Sequence, residues 1–401
     1  MIPLKKIQKA YELIKAHVIE TPLIYSPALS RMFGGDIYLK LENLQKTGSF
    51  KIRGATYKLI TCKDRIGPEG VVAASAGNHA QGVALAARQA GIPATIVMPE
   101  WVSITKQEAT RAYGGNVIIC GRNIGESLAE AKRLAAEGKF FVHPFDDEDI
   151  ITGQGTVGIE IFDQLEDPDL IVAPVGGGGL IAGIASAIRS INPGTQTVGV
   201  QAAVCPSAYE ALQKGRAHEV EGTSSIADGI NVKQIGRVNF QMLQEGVDHI
   251  VLVEEEQIAA AMLLLLERKK ILTEGAGAVP MAAVLSGAVK VPRKGKTVLV
   301  ISGGNVDSPL LERIVSQGLI KSGRIMRIWV RMQDVPGSLA GLLGRIAALK
   351  ANVLHIYHDR SVRGTPIYTT HVELELETRG TQHIEEIEKS LTFAGYEFKT
   401  R

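Results

Sequence analysis

The chain has 401 residues, 45% of them hydrophobic and 21% charged, with 43 glycines against 16 prolines. At about 150 residues per domain this is room for two or three compact units, and the apolar content excludes a disordered or collagen-like protein. Forty-four basic against 42 acidic residues leave a net charge of +2, too near neutral to point to nucleic acid or an anionic membrane.

In chain order, short strands rich in Val and Ile are expected at 37–41, 71–74, 94–98, 117–120, 170–175, 197–200, 250–253 and 298–301. Helical patterns alternate with them. One covers 80–90, closed by Gly91-Ile92-Pro93; others cover 127–137, closed by Gly138, and 180–191. That alternation indicates βαβ units and a largely parallel sheet covered on both faces. The apolar run 259–266, ending in Glu267-Arg268-Lys269-Lys270, reads as a buried helix with a charged C-terminal end. No apolar run approaches the ~20 residues of a membrane span.

After a polar hinge at 317–323 the pattern changes. A strand at 326–332, the turn Asp334-Val335-Pro336-Gly337-Ser338, a helix at 339–349, a hairpin from 353–358 to 368–376 and a helix at 383–394 follow. They spell βαββα with room for a last short strand, a ferredoxin-like module. The boundary is placed near 322. Three widely spaced cysteines (Cys62, Cys120, Cys205) make neither a disulfide framework nor a zinc site. The basic opening segment lacks the apolar stretch of a targeting peptide, so a cytoplasmic enzyme is expected.

Four local patterns could carry chemistry. Val175-Gly176-Gly177-Gly178-Gly179-Leu180 joins a strand to a helix, so unobstructed N–H groups and a helix dipole could hold a phosphate. The alternative is a hinge. Ser75-Ala76-Gly77-Asn78-His79 offers donors suited to a carboxylate, or an ordinary helix cap by Ser75 or Asn78; His79 alone reads as structural. Ser302-Gly303-Gly304-Asn305 puts a hydroxyl where open α/β sheets bind ligands, or is a solvated turn. Lys51, beside Phe50 and two residues from Arg53, could be a lysine whose pKa burial and a neighbouring cation depress.

The runs Ser49-Phe50-Lys51-x-Arg53-Gly54, Ser75-Ala76-Gly77-Asn78-His79, the four glycines and Ser302-Gly303-Gly304-Asn305 occur in this order over roughly residues 1–320. Together they resemble the threonine/serine dehydratase group of pyridoxal-phosphate enzymes, of tryptophan synthase β-like fold. Asp334-x-Pro336-Gly337-x-Leu339 resembles an ACT regulatory domain. The resemblance implies an α/β fold of two open parallel-sheet subdomains at 1–321, the smaller (roughly 45–150) inserted in the larger. It implies a ferredoxin-like ACT domain at 322–401.

The cofactor implied is pyridoxal 5'-phosphate. By the same resemblance Lys51 forms its Schiff base and takes the substrate's α-proton, Phe50 packs on its ring, and Asn78 bonds its phenolic oxygen. Gly176, Gly177, Gly178 and Gly179 hold its phosphate, and Ser302 faces its pyridine nitrogen. Ser75, Ala76, Gly77, Asn78 and His79 receive the substrate carboxylate. The implied reaction is β-elimination of L-threonine to 2-oxobutanoate and ammonia, a step towards isoleucine. A serine dehydratase or a serine racemase is the alternative, although racemases carry a serine in place of Ala76. Less expected is a non-catalytic amino-acid sensor. Some relatives bind a metal after the strand at 197–200; here Gln201-Ala202-Ala203-Val204-Cys205-Pro206-Ser207 has no carboxylate, and no metal is expected. The ACT resemblance implies a homo-oligomer with a branched-chain amino-acid effector between two modules, at Asp334, Gly337, Ser338, Leu339 and Asn352. The alternative is that the module only dimerises the protein.

Overall fold

The computed structural model describes residues 1–360 and 366–400, which form two compact units, Met1–Leu310 and Leu311–Arg401. Ten strands lie in the first unit: β1 (Leu23–Tyr25), β2 (Asp36–Leu41), β3 (Val71–Ala74), β4 (Ala94–Met98), β5 (Gly115–Ile119), β6 (Phe140–Phe141), β7 (Leu170–Pro174), β8 (Gln196–Ala202), β9 (His249–Val253) and β10 (Lys296–Ile301). They make two sheets, β1-β2-β10-β7-β8-β9 and β5-β4-β3-β6. Every pairing is parallel except β1 with β2, at one edge of the larger sheet. The eight expected strands are all present. β1 and β6, of three and two residues, are too short to show a period.

Both sheets are covered, so β3, β4 and β7 are buried at every residue and read as apolar runs. Two helices that shape the site, Lys51–Thr61 and Glu148–Gln164, are not among the expected ones, because glycines obscure them. Those glycines permit close packing: a Cβ on Gly153 would fall 2.7 Å from Gly54 Cα, and one on Gly155 would fall 2.9 Å from the Gly183 carbonyl. The expected helix 127–137 starts earlier, at Ile124, because the Asn123 side chain accepts from Glu126 N and caps it. The apolar run at 259–266 corrects to a helix at Glu255–Leu264, opened by a capping box of Glu254 and Gln257. It buries only Ile258, Ala261 and Met262, and a wider turn at Leu265–Lys269 ends it at left-handed Lys270.

The second unit holds β11 (Ile325–Gln333), β12 (Asn352–Asp359), β13 (Thr369–Glu377) and β14 (Glu397–Thr400), with helices Ser338–Ala348 and Thr381–Phe393 between them. The sheet order is β12-β13-β11-β14, wholly antiparallel, which is the ferredoxin-like arrangement. Alternating residues of β11 and β13, among them Ile328, Val330, Val372 and Leu374, meet Leu342, Ile346, Ile387 and Leu391 of the helices in a core of their own.

Candidate active site

Three of the four sequence patterns follow a strand's C-terminal end: residues 75–79 follow β3, 175–179 follow β7 and 302–305 follow β10. These turns and Lys51 line one cavity of about 890 Å³ in the first unit. Crevices beyond the carboxyl ends of parallel strands are where such sheets bind ligands.

Lys51 is the first residue of its helix. The turn before it is stitched to the end of β10: Ser49 pairs with Gly303, Phe50 N donates to Ser302 O (3.1 Å) and Gly304 N donates to Gly48 O (2.9 Å). Its Nζ donates to the Pro144 carbonyl (2.9 Å) and stands 5.2 Å from the centre of the Phe50 ring. Burial holds the amine down to about 8, and the Glu274 carboxylate pulls the other way.

Arg53 is not the cation that depresses Lys51. Its guanidinium is fully buried and paired with both Glu42 (Nε–Oε2, 2.8 Å) and Glu160 (Nη1–Oε1, 2.6 Å), and Lys40 joins Glu160 at 2.6 Å. This four-charge cluster ties β2 to the two glycine-bearing helices. The sequence shows Arg53 close to Lys51, but residues two apart on a helix do not face each other, and the helix Lys51–Thr61 was not among the expected ones.

The glycine turn leads into the helix Gly179–Ile191, and no side chain caps that helix start. Its first N–H groups lack intrahelical partners, and they lie in the cavity wall. Gly178 adopts φ 95°, open to few other residues. A Cβ on Gly177 would fall 2.3 Å from the Phe145 ring, so glycine is required there by close approach. The turn His143-Pro144-Phe145 thus touches the lysine amine through one residue and the glycine turn through the next. His143 holds it in shape, its Nδ1 accepting from Phe145 N (3.2 Å) and Asp146 N (2.8 Å). Burial keeps that imidazole below its usual range.

Ser75 Oγ accepts from Gly77 N (3.2 Å), and Asn78 begins the helix Asn78–Ala90. His79 Nε2 lies 3.1 Å from the Val142 carbonyl. Burial lowers its pKa to about 3, so it is a neutral imidazole, donating to that carbonyl. Ser302 is buried at the end of β10.

One site residue lies outside the four patterns. Glu274 is buried in the cavity wall, where its Oε1 accepts from Asn78 Nδ2 (2.7 Å). Burial, then Asp228, raises its carboxyl to about 7. The available signal was an acid directly before Gly275-Ala276-Gly277 at a helix start. At the cavity mouth Lys106 pairs with Asp228 (3.0 Å) and Asp307 (3.2 Å).

In the second unit the structure does not bring the expected effector residues together within one chain. Asp334, paired with Arg360 (2.8 Å), and Gly337, Ser338 and Leu339 follow the Gln333 end of β11. Asn352 stands opposite Glu377, which pairs with Ile325 at the other end.

The residues of the first cavity fit an aldehyde-bearing phosphate ester. A lysine amine of lowered basicity and an uncapped, glycine-bordered helix start face the same space. The sequence matches the family model for pyridoxal-phosphate dependent enzymes over residues 14–303. It is 50% identical to an L-threonine ammonia-lyase of Thermotoga maritima, over all of this chain and 99% of that one. It is 46% identical to a catabolic L-threonine dehydratase of Staphylococcus aureus, over 80% of this chain and 93% of that one. Among solved structures it superposes on a threonine deaminase of tomato, Solanum lycopersicum, with a TM-score of 0.73 at 35% identity, covering 78% of this chain and 91% of that one.

Proposed function

Since this chain belongs to the pyridoxal-phosphate dependent enzymes, we propose that it catalyses the β-elimination of L-threonine to 2-oxobutanoate and ammonia. The observation that carries this is the shared cavity, which joins Lys51 to the glycine turn in a chain half identical to an L-threonine ammonia-lyase along its whole length.

Lys51 would hold the cofactor's aldehyde carbon. Gly176, Gly177, Gly178 and Gly179 would hold its phosphate with backbone N–H groups. Phe50 would border its ring, Asn78 would donate to the ring oxygen, and Ser302 would face the pyridine nitrogen. When bound, the cofactor supplies an electron sink at the substrate's α-carbon. The chain's own part is orientation and proton handling. Ser75, Ala76, Gly77, Asn78 and His79 would receive the substrate carboxylate at the start of their helix. The Lys51 amine, basic only down to about 8, would take the α-proton at Nζ with the Pro144 carbonyl as its second contact. Ala76 lines the cavity and has no proton to give from its side, which favours elimination over racemisation.

The second unit would be an ACT domain that senses a branched-chain amino acid at an interface between two copies. The enzyme would be a cytoplasmic homo-oligomer; no helix among the described residues is long and apolar enough to cross a membrane. The test is product analysis. Purified protein should be yellow, and should form 2-oxobutanoate from threonine with a higher kcat/KM than pyruvate from serine. Lys51→Ala should remove the colour and lower kcat by about a thousand-fold. Equal or better turnover of serine would overturn the threonine assignment. A rate indifferent to isoleucine and valine would leave the second unit structural.

A further inference from the structure

The Asn78 amide is tied at both ends. Its Oδ1 accepts from Asn305 Nδ2 (2.7 Å), and its Nδ2 donates to Glu274 Oε1 (2.7 Å). A primary amide carries two N–H groups. The two ties therefore set which way the amide faces and leave one N–H for the cavity that Asn78 lines.

Glu274 is anchored in turn. Its backbone N donates to Gly303 O (3.1 Å), and Thr273 Oγ1 donates to the same carbonyl (3.0 Å). The carboxyl lies so close to Gly303 that a Cβ there would fall 2.4 Å from Oε1. One acid thus braces the turn that carries Ser302 and the amide of Asn78. The charged groups that face it are Lys51 at its helix start, Asp228 from the single helical turn Asp228–Ile230 and Lys106 from the helix Ile104–Ala112. Burial, reinforced by Asp228, brings the carboxyl up to about 7, while the Asn78 N–H and Lys106 oppose that rise.

We propose that Glu274 is a positioning residue for the elimination, holding the Asn78 amide so that a single N–H is presented to the ring oxygen of the cofactor. Hydrogen bonds in a chain polarise one another, so the protonation of Glu274 also sets how strongly that N–H donates. The inference rests on the function proposed above, because it needs the cofactor in this cavity.

Wild type, Glu274→Gln, Glu274→Ala, Asn78→Ala and the Glu274→Ala/Asn78→Ala double variant are loaded with pyridoxal phosphate. Their visible spectra are then followed across neutral pH, with kcat and KM for threonine measured alongside. Glutamine keeps the acceptor oxygen and does not ionise, so Glu274→Gln should stay yellow and lose the wild type's spectral change near neutral pH. Glu274→Ala should shift the band and lower kcat by about 10²-fold with KM little changed. Asn78→Ala should fall as far, and the double variant no further. If Glu274→Ala does not fold, Glu274→Asp, whose carboxyl stops one methylene short of the amide, replaces it with the same expectations. A Glu274→Ala spectrum that superposes on the wild type throughout, or losses that multiply in the double variant, would overturn the inference and leave the proposed function standing. A wild type that takes up no cofactor would overturn both.

Discussion

Lys51 and Glu274 share one cavity and are displaced toward neutrality from opposite sides, the amine down to about 8 and the acid up to about 7. Burial is the first cause in both, because it penalises whichever form is charged. An amine attacks an aldehyde only when unprotonated, so the rate at which colour develops on mixing with pyridoxal phosphate should rise with pH and level off above about 8. A stopped-flow pH series checks this. For Glu274 the sign runs the other way. Its unfolded value is near 4.5 and its folded value about 7. Between them the folded state keeps a proton that the unfolded state has lost, so stability declines as pH rises through that window. The unfolding free energy of cofactor-free wild type, less that of Glu274→Gln, should fall across the window and stay flat above it. Lys51 and the three turns could be read from the sequence because each is a contiguous run with its own local logic. Glu274 left only the weak local signal of an acid before Gly275-Ala276-Gly277, since its meaning comes from Asn78, 196 residues away.

Between elements, the buried cluster of Lys40, Glu42, Arg53 and Glu160 is what fixes the Lys51 helix to β2 and to the helix Glu148–Gln164. Removing one partner of a buried pair leaves the others charged and uncompensated. Arg53→Ala should therefore destabilise the protein by about 3–5 kcal/mol in denaturant unfolding. Arg53→Lys should recover only part of this, because an ammonium cannot reach both carboxylates in the paired, planar way that a guanidinium does. Arg53→Ala should leave the pH dependence of cofactor uptake where it is, since the Arg53 charge is spent on Glu42 and Glu160. The helices that this cluster joins were the least legible part of the fold. Helix propensity counts glycine as a fault, whereas at Gly54, Gly153, Gly155 and Gly183 the missing side chains allow the backbones to meet.

At the scale of the whole molecule, the two units keep separate cores, with Ile181, Ile184 and Val300 among the residues of one and Val330, Leu342 and Leu374 among those of the other. A chain ended after Lys321 should still be yellow and still eliminate threonine, and should lose any response of the rate to isoleucine or valine; initial-rate assays with and without each amino acid check both halves. The change from parallel to antiparallel architecture was readable because the hydrophobic period changes from unbroken runs to alternation. The division of the first unit into two sheets, the smaller formed by residues between 71 and 141, was expected from the resemblance and not from the period, because a strand does not announce which sheet it joins. Residue 51 stands where the chain passes into the smaller sheet's layer, and Pro144 where it comes back out. The hydrogen bond between them therefore closes a ring of polypeptide around that layer, and its acceptor is a neutral carbonyl. Were the two crossing points drawn apart, this clasp would part and the amine would lose its one hydrogen-bonded anchor among the described residues.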